Sequence, residues 1–501
     1  MTKYQQKLRK LPLGHSKNAN KALLLQRSID SIELLSYSSA KSKNYIKIIL
    51  GTIIAILIAA IIFRHYVCYV FFAQYIIHNC LKVILYWEYV MSLTSKSTYN
   101  KSDDYRCNEI NLSQYSTKSD LPIYSILIPM HKEANRLDDI LSAIANLNYP
   151  RQKLDVKIII EESDTIMIRA IYATKIPKYV QIISVPYAIP QTKPKALNYA
   201  CNFAIGKYIT IYDAEDIPNP DQLLMSVAMF AQLPDEYICL QARLNFYNHD
   251  ENILTKFMSI EYWSWFNIIL YGLNALNFPT LLGGTSNHFK FDKLRMLGLW
   301  DAYNVTEDAD LSMRIYKNGW RVKLMDAYTM EEAPNNVITW IKQRSRWIKG
   351  FCQTFCVHIA QYNTHNAKTK FVEQHPKWFI PYTIFLIIFM LFGIVSFLLL
   401  PFLIYVAITW HTESIMMLIK INLIFHCLFT WFTMFIYVIK YRTIHSNIST
   451  IISFVLMPLY FCLHSIAAYC AIFDILFFPF YWRKTKHRSM AKILKSKNKN
   501  H

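Results

Sequence analysis

Long apolar runs near both ends of the 501-residue chain predict membrane-spanning helices. The run from Ile46 to Phe63 has the length and the apolarity of a membrane span. A second run, Val67 to Trp87, gives a weaker signal because it contains polar side chains. These are His78, Asn79 and Lys82. We expect two transmembrane helices within residues 46–90, because two spans return the chain to the side on which it began.

The C-terminal region, residues 379–482, is predicted to contain further spans. Ile380 to Ile408 forms one long apolar run, and Ile415 to Ile439 forms another. The last run, Ile451 to Trp482, is too long for one span and too short for a relaxed helical hairpin. A tight hairpin and a mostly interfacial segment both stay open for it.

A different pattern occupies the middle of the chain, after a polar linker at residues 91–121. Short apolar runs alternate there with helical stretches over residues 122–338. The predicted strands are 125–128, 157–160, 180–185 and 208–212. This strand–helix order predicts a mainly parallel sheet that binds its ligands at the carboxyl ends of the strands.

Composition and charge place this domain beside a membrane. Hydrophobic residues make up 53% of the chain, and the formal net charge is +20. Lysines concentrate in an arm at residues 1–45 and a tail at 483–501, and no nucleic-acid-binding module accompanies them. Basic segments next to membrane spans favour the cytoplasmic side. We therefore expect a multi-pass protein of the cell (inner) membrane with a cytoplasmic central domain and no nucleic-acid partner. The ten cysteines include no C-x-x-C pair, which argues against a zinc site.

Acidic clusters follow two of the predicted strands. Glu161-Glu162-Ser163-Asp164 comes after the second strand, and Asp213-Ala214-Glu215-Asp216 comes after the fourth. One such cluster alone would be read as a solvated loop. Two clusters at the carboxyl ends of a parallel sheet predict a ligand site.

Two further motifs lie between Trp300 and Gly350. Thr306-Glu307-Asp308 precedes a helical pattern, so its carboxylates lie at a helix N-terminus, where free backbone N–H groups hold and orient negative charge. Gln343-Arg344-Ser345-Arg346-Trp347 then places an amide, two guanidiniums and an indole on about one helical turn. Indole faces stack on sugar rings, and arginines bind phosphate oxygens in pairs, which favours a groove for a sugar and a phosphate.

In order and spacing, these motifs resemble those of the family 2 glycosyltransferases, specifically the processive, membrane-embedded, cellulose-synthase-like branch. That pattern has an early acidic pair, a D-x-D-type cluster, a T-E-D triplet and Q-x-x-R-W. The resemblance covers residues 122–350 and the flanking membrane segments. It implies an α/β GT-A-type, Rossmann-like cytoplasmic domain between transmembrane helices, with the Q-x-x-R-W motif and interfacial helices at 339–378.

Sugar transfer from a nucleotide diphosphate needs a cation on the leaving group, carboxylates that hold the cation, and a base for the acceptor hydroxyl. By resemblance Asp308 is the base, with Glu307 and Asp310 as its nearest competitors. Asp213 and Glu215 match the metal-binding D-x-D positions, and the neighbouring Asp216 is a rival ligand. Mg²⁺ or Mn²⁺ suits such an all-oxygen site.

The resemblance also assigns the substrate contacts. The nucleotide-sugar contacts that it implies are Glu133, Glu162, Asp164, Lys195 and Asp213. Gln343, Arg346 and Trp347 would bind the acceptor end and the diphosphate, together with the loop residues Gly284 and Thr285. His288, in the same loop region, is expected to be a structural hydrogen-bonding residue, because no second histidine lies at ligand spacing.

The function implied is transfer, with inversion, from a nucleotide-sugar to a growing β-linked polysaccharide. The donor would be UDP-glucose or a related UDP-sugar, and the product would leave through the enzyme's own membrane helices. Single transfer to a lipid-linked acceptor is the alternative. A third alternative is a non-catalytic transporter or receptor that binds nucleotide-sugar. Expected partners are the donor, a glycan or lipid-linked acceptor and membrane lipids, and protein partners stay open.

Overall fold

The computed structural model describes residues 51, 64–94, 121–362, 375–409, 414–441, 448–478 and 488. Several predicted segments lie outside these residues. They are the arm at 1–45, the first span at 46–63 apart from residue 51, most of the linker at 91–121, and the tail at 483–501 apart from Arg488.

Eight strands form one sheet in the described part of the chain. The strands are β1 Tyr124–Pro129, β2 Leu154–Glu161, β3 Val180–Val185, β4 Tyr208–Ile211, β5 Ile217–Pro218, β6 Tyr237–Phe246, β7 Asn287–Lys290 and β8 Arg321–Glu331. Their order across the sheet is β3-β2-β1-β4-β7-β6-β8-β5. β1 pairs in parallel with β2 and β4, and β6 pairs in parallel with β8, whereas β7 runs antiparallel to both of its neighbours. The mostly parallel sheet is confirmed, and all four predicted strands are present.

Helices cover the sheet and continue beyond it. In chain order they are α1 Arg64–Thr94, α2 Leu137–Ala145, α3 Thr165–Ala173, α4 Lys193–Ala200, α5 Gln222–Gln232, α6 Ile253–Ser264, α7 Leu270–Ala275, α8 Phe291–Met296, α9 Glu307–Lys317, α10 Val337–Tyr362, α11 Pro376–Ile384, α12 Phe392–Thr409, α13 Ser414–Tyr441 and α14 Ile448–Phe477. π-helical turns connect α6 to α7 and α11 to α12. A π-helical turn at Trp265–Ile269 thus lies in the middle of the aromatic helical segment formed by α6 and α7.

Alternating side chains of the central strands build two apolar layers. Ile126 and Ile158 point to one face of the sheet, and Leu127 and Ile159 point to the other. All four side chains are buried. Because both faces are covered, the strands read as continuous apolar runs in the sequence, which is why their positions could be predicted.

A third apolar cluster joins the sheet domain to the terminal helices. Trp263 of α6 and Trp340 of α10 lie in it together with Tyr460 of α14. In the described part of the chain, Lys377–Phe402 and Val455–Phe477 are long and apolar enough to cross a membrane. α14 is one continuous helix of 30 residues, about 45 Å long at 1.5 Å per residue. The hairpin considered for residues 451–482 is therefore wrong, because the helix continues through Pro458 without a turn.

Close packing at Gly350 fixes α10 against the segment that precedes α9. A Cβ built on Gly350 would overlap the side chain of Thr306, and it would lie 2.8 Å from the Thr306 backbone nitrogen. A methyl group has no room there, because one of the atoms it meets is backbone.

We expect Gly350→Ala to lower the free energy of unfolding by about 1–3 kcal/mol through overpacking. The thermal midpoint of the purified protein measures this change. Gly393→Ala is the matched control, because no described atom lies within 4 Å of the added methyl group. Equal midpoints for the two variants would contradict the packing described here.

Candidate active site

A cavity of about 1370 Å³ opens at the carboxyl edge of the sheet and continues between the apolar helices. At the sheet end it is lined by Asp213, Glu215 and Asp308. At the far end it is lined by apolar side chains such as Phe397 and Leu400 of α12. One continuous space thus joins the acidic loops to the helices.

Strand direction explains why these loops meet. β1, β2 and β4 are parallel and end at the same edge. β7 is antiparallel to β4, so the loop that precedes β7 reaches the same edge, and β8 ends there as well. The two acidic clusters and the Gly283–Ser286 loop are brought together in this way.

A hydrogen bond to the Asp216 carboxylate holds the loop that carries Asp213. The Asp213 backbone N–H donates to Asp216 Oδ2 at 2.7 Å, and the Thr285 hydroxyl donates to the same oxygen. Both Asp216 and Thr285 are buried and do not line the cavity, whereas Asp213 and Glu215 do. Asp216 therefore supports the loop, and Asp213 and Glu215 present their carboxylates to a ligand.

Of the two lysines at the start of α4, Lys193, which was not selected from the sequence, is the one that lines the cavity. Its Nζ lies 2.6 Å from Asp213 Oδ1 and donates to the Gly284 carbonyl at 2.7 Å. Lys195 instead lies beneath the cavity, fully buried, with its Nζ 3.0 Å from Glu161 Oε1. The two lysines point in different directions because residues two apart on a helix lie on opposite faces.

Asp308 lies at the start of α9 with Glu307 beside it. Both carboxyls are buried and line the cavity, and a Cβ on Gly284 would lie 3.8 Å from Asp308 Oδ2. Burial, with a further contribution from Glu307, raises the pKa of Asp308 well above its ordinary value. Asp310, considered as a competing base, is paired with Arg314 at 2.7 Å and with His358 at 3.0 Å. It does not line the cavity.

The Q-x-x-R-W residues lie along one face of α10. Gln343, Arg346 and Trp347 all line the cavity, since positions i, i+3 and i+4 of a helix share a face. Arg346 Nη1 donates to the Val305 carbonyl at 3.3 Å, which places this guanidinium beside the segment leading to Asp308. The acceptor motif and the predicted base thus border one space.

The predicted nucleotide contacts are divided between the cavity and its surroundings. Glu133 lines the cavity, whereas Glu162 is exposed outside its lining. Asp164 caps α3 by accepting from the Met167 N–H at 3.1 Å. Although burial acts in the opposite direction, hydrogen bonds from His131 and from backbone N–H groups lower the pKa of Asp164 to about 2. Asp164 therefore stabilises the start of α3, and its side chain does not line the cavity.

His288 has the structural role that was expected. Its Nδ1 lies 2.7 Å from the Tyr124 hydroxyl, and its Nε2 lies 3.1 Å from Gln222 Oε1. Burial lowers the pKa of His288 to about 3, so the ring is neutral. The prediction of a structural histidine is confirmed.

The donor set at the cavity edge fits a divalent cation. Burial and mutual repulsion raise the pKa values of Asp216, Asp308 and Glu331 well above the ordinary value. Asp216 Oδ1 and Asp308 Oδ1 accept no hydrogen bond from the described residues. Among those residues no group of three or more metal-binding side chains has ligand geometry. A cation here would be held by Asp213 and Glu215 together with substrate phosphates and water, as Mg²⁺ often is.

Comparison with known proteins identifies the family of this domain. Residues 122–350 match the model described as glycosyltransferase-like family 2. The domain at residues 122–350 belongs to glycosyltransferase family 2. It is also 26% identical over 258 residues to a probable glycosyltransferase, YdaM, of Bacillus subtilis (strain 168). That match covers 48% of this chain and 58% of the relative, so the chain spans little more than half of the relative's length.

Similarity to a solved structure supports the fold of the glycosyltransferase domain. The structure is that of the mannosyltransferase PcManGT from Pyrobaculum calidifontis in complex with GDP-Man and Mn²⁺. The TM-score is 0.50 at 16% identity, with 79% of this chain and 98% of the other covered. This similarity confirms the predicted GT-A-like fold. The predicted enzyme family rests on the match over residues 122–350, and the cellulose-synthase-like branch stays a prediction.

We expect Asp308→Asn to lower turnover by roughly two to four orders of magnitude, because the amide cannot accept the acceptor's proton. Binding of nucleotide-sugar, measured by titration calorimetry, should stay within a few-fold of wild type. Near-normal turnover in this variant would move the role to Glu307, the neighbouring carboxyl that also lines the cavity.

Substitution of the two lysines should separate ligand binding from folding. We expect Lys193→Met to lower kcat/KM about 10- to 100-fold with an unchanged thermal midpoint, as for loss of a charged hydrogen bond. Lys195→Met should lower the free energy of unfolding by about 3–5 kcal/mol, because it leaves Glu161 buried and unpaired. The opposite result, a folding defect in the first variant and a purely kinetic defect in the second, would overturn the assignment.

Proposed function

We propose that this protein transfers a sugar from a nucleotide-sugar to an acceptor hydroxyl with inversion of the anomeric centre. The observation that carries the proposal is the shared cavity, which is lined by the carboxylates of Asp213 and Glu215, the cations Lys193 and Arg346, and the buried carboxyl of Asp308. A single displacement needs these groups around one space.

In the proposed reaction, Asp308 accepts the proton of the acceptor hydroxyl as the oxygen attacks the anomeric carbon. The bond from that carbon to the diphosphate oxygen breaks, and the nucleotide diphosphate departs with the bonding electrons. Lys193 and Arg346 stabilise the charge that develops on the diphosphate. A divalent cation held by Asp213 and Glu215 would supply further neutralisation of the leaving group. Burial and the neighbouring Glu307 raise the pKa of Asp308, and a higher pKa makes its carboxylate a stronger base.

The donor we propose is a UDP-sugar, UDP-glucose or a relative of it. The structural relative was solved with GDP-Man and Mn²⁺, so GDP-mannose belongs in the same panel of donors. Mn²⁺ and Mg²⁺ are the cations to supply.

For the acceptor we propose a growing β-linked polysaccharide that leaves through the membrane helices. The cavity runs from Asp308 past Trp347 to α1 and α12. On α1 the polar side chains Tyr75 and Asn79 face the cavity. Apolar side chains of the same helix are exposed, namely Ile76, Ile77, Val83 and Ile84. A helix with its polar face inward and its apolar face outward suits lipid on one side and a glycan on the other.

This acceptor path also supports a membrane location. We propose that α1 and α11–α14 lie in the cell (inner) membrane, in contact with its lipids, and that the sheet domain faces the cytoplasm, where nucleotide-sugars are made. The two long apolar helices of the described chain are consistent with this arrangement.

One observation favours the second candidate, single transfer to a lipid-linked acceptor. Lys82 of α1 lines the cavity one helical turn from His78 and Asn79, and it forms no ion pair with another described residue. A lysine that lines a cavity between apolar helices is a candidate binding place for an anion. The phosphate of a lipid-linked acceptor would meet that requirement, whereas a neutral glycan would not.

Product size distinguishes the two candidates. Wild-type protein in lipid nanodiscs is incubated with radiolabelled UDP- and GDP-sugars, and the products are separated by length. Polymerisation predicts a ladder that Trp347→Ala shortens, because loss of an aromatic stacking face costs about 1–3 kcal/mol of binding, by analogy with base stacking. Lys82→Met should leave that ladder unchanged. A one-sugar lipid product at every donor concentration, reduced about tenfold or more by Lys82→Met and preserved by Lys82→Arg, would replace polymerisation by the second candidate.

A further inference from the structure

Glu261 of α6 lies at the centre of a buried polar cluster behind the Q-x-x-R-W motif. Its carboxylate accepts two hydrogen bonds from Arg344, with Nη1–Oε1 at 3.0 Å and Nη2–Oε2 at 2.6 Å. Such a paired geometry fixes the plane of the guanidinium. Glu261 and Arg344 also line the cavity, and Arg344 precedes Trp347 by about one helical turn on α10.

The guanidinium held by Glu261 lies against the indole of Trp347. Arg344 Cζ is 4.3 Å from the centre of the Trp347 ring system, and the ring of Tyr262 packs on the indole with centroids 5.9 Å apart. Stacking of a guanidinium on an aromatic face is a directional contact that defines the orientation of the ring. The orientation of Trp347 therefore depends on that of Arg344, which depends on Glu261.

α14 provides the other side of the cluster. The Tyr460 hydroxyl donates to Glu261 Oε2 at 2.5 Å, and His464 Nε2 lies 3.3 Å from Glu261 Oε1. The Trp340 indole N–H donates to the Tyr460 hydroxyl at 3.1 Å. The carboxylate thus connects α6, α10 and the long apolar helix at a single point.

We propose that Glu261 is a positioning residue for the acceptor, which holds Arg344 flat against Trp347 so that the free part of the indole stays aligned with the cavity. Glu261 affects the reaction by orienting Trp347. The proposal therefore rests on the proposed function of Trp347 in acceptor binding. The donor side, with Asp213 and Lys193, does not depend on it.

Enzyme kinetics with a double-mutant cycle test whether Glu261 acts on the acceptor through Trp347. Glu261→Gln keeps the size of the side chain but removes the charge that orients the guanidinium. We expect it to raise the KM for acceptor about tenfold, in the range of a weakened stacking contact. Donor hydrolysis by water, measured as nucleotide diphosphate release without acceptor, should stay within about twofold of wild type. In a protein that already carries Trp347→Ala, Glu261→Gln should not raise the KM for acceptor further. The effects of two substitutions are not additive when the residues act together.

Tyr460→Phe is the matched control, because it removes a different partner of Glu261 and leaves the contact with Arg344 in place. It should leave acceptor KM near the wild-type value. Additive defects in the Glu261→Gln/Trp347→Ala double variant, or an equal loss of donor hydrolysis in Glu261→Gln, would overturn the positioning role in favour of a general contribution to folding.

A spectroscopic measurement tests the inference without acceptor turnover. In protein labelled with fluorotryptophan, the ¹⁹F resonance of Trp347 is the one absent from Trp347→Phe. We expect Glu261→Gln to shift or broaden this resonance and Tyr460→Phe to leave it in place. An unchanged Trp347 resonance in Glu261→Gln contradicts the inference. A changed resonance in a protein that shows no transfer to any acceptor contradicts the proposed function instead.

Discussion

Repulsion among carboxylates at the carboxyl edge of the sheet is the constraint on which the rest of the site depends. Asp213, Glu215, Glu307, Asp308 and Glu331 line one cavity, and Lys193 and Arg346 provide positive charge beside them. Buried like charges raise one another's pKa values, as they do for Asp308 and Glu331. Such an arrangement is costly in an isolated fold and becomes favourable when a cation and a diphosphate complete it. We therefore infer that the site needs the positive charge of a bound cation to offset the repulsion among its carboxylates.

The catalytic edge is tied closely to the helices outside the sheet. Gly350 lets α10 pack directly on Thr306, so the Q-x-x-R-W motif and the segment that carries Asp308 have a fixed separation. On the other face of α10, Glu261 joins Arg344 to Tyr460 of α14. A displacement of α14 would thus be transmitted to Trp347 by contacts rather than by flexible loops. This rigidity suits an enzyme whose acceptor arrives along the helices and must meet a base at one position.

The sequence was informative where a pattern has one physical cause. Buried parallel strands need unbroken apolar runs, so β1 to β4 could be located, and the acidic clusters followed from strand ends. The other four strands were missed. β5 has only two residues, and polar side chains interrupt the apolar runs of β6, β7 and β8. Lys195 was chosen over Lys193 because its place in K-P-K-A-L-N resembles that of the family's lysine, and this pattern does not show which of the two side chains faces the cavity. The role of Glu261 depends on partners 83 and 199 residues away, which no local pattern contains.

The most direct test of the central claim is the cation dependence of donor cleavage by the whole protein in lipid. Nucleotide diphosphate release from UDP- and GDP-sugars is followed after chelation, then after addition of Mn²⁺ or Mg²⁺. The account predicts that release stops on chelation and returns with either cation in wild type, and that Asp213→Ala raises the cation requirement or abolishes release. Undiminished release under full chelation, or an Asp213→Ala variant with wild-type cation dependence, would contradict it.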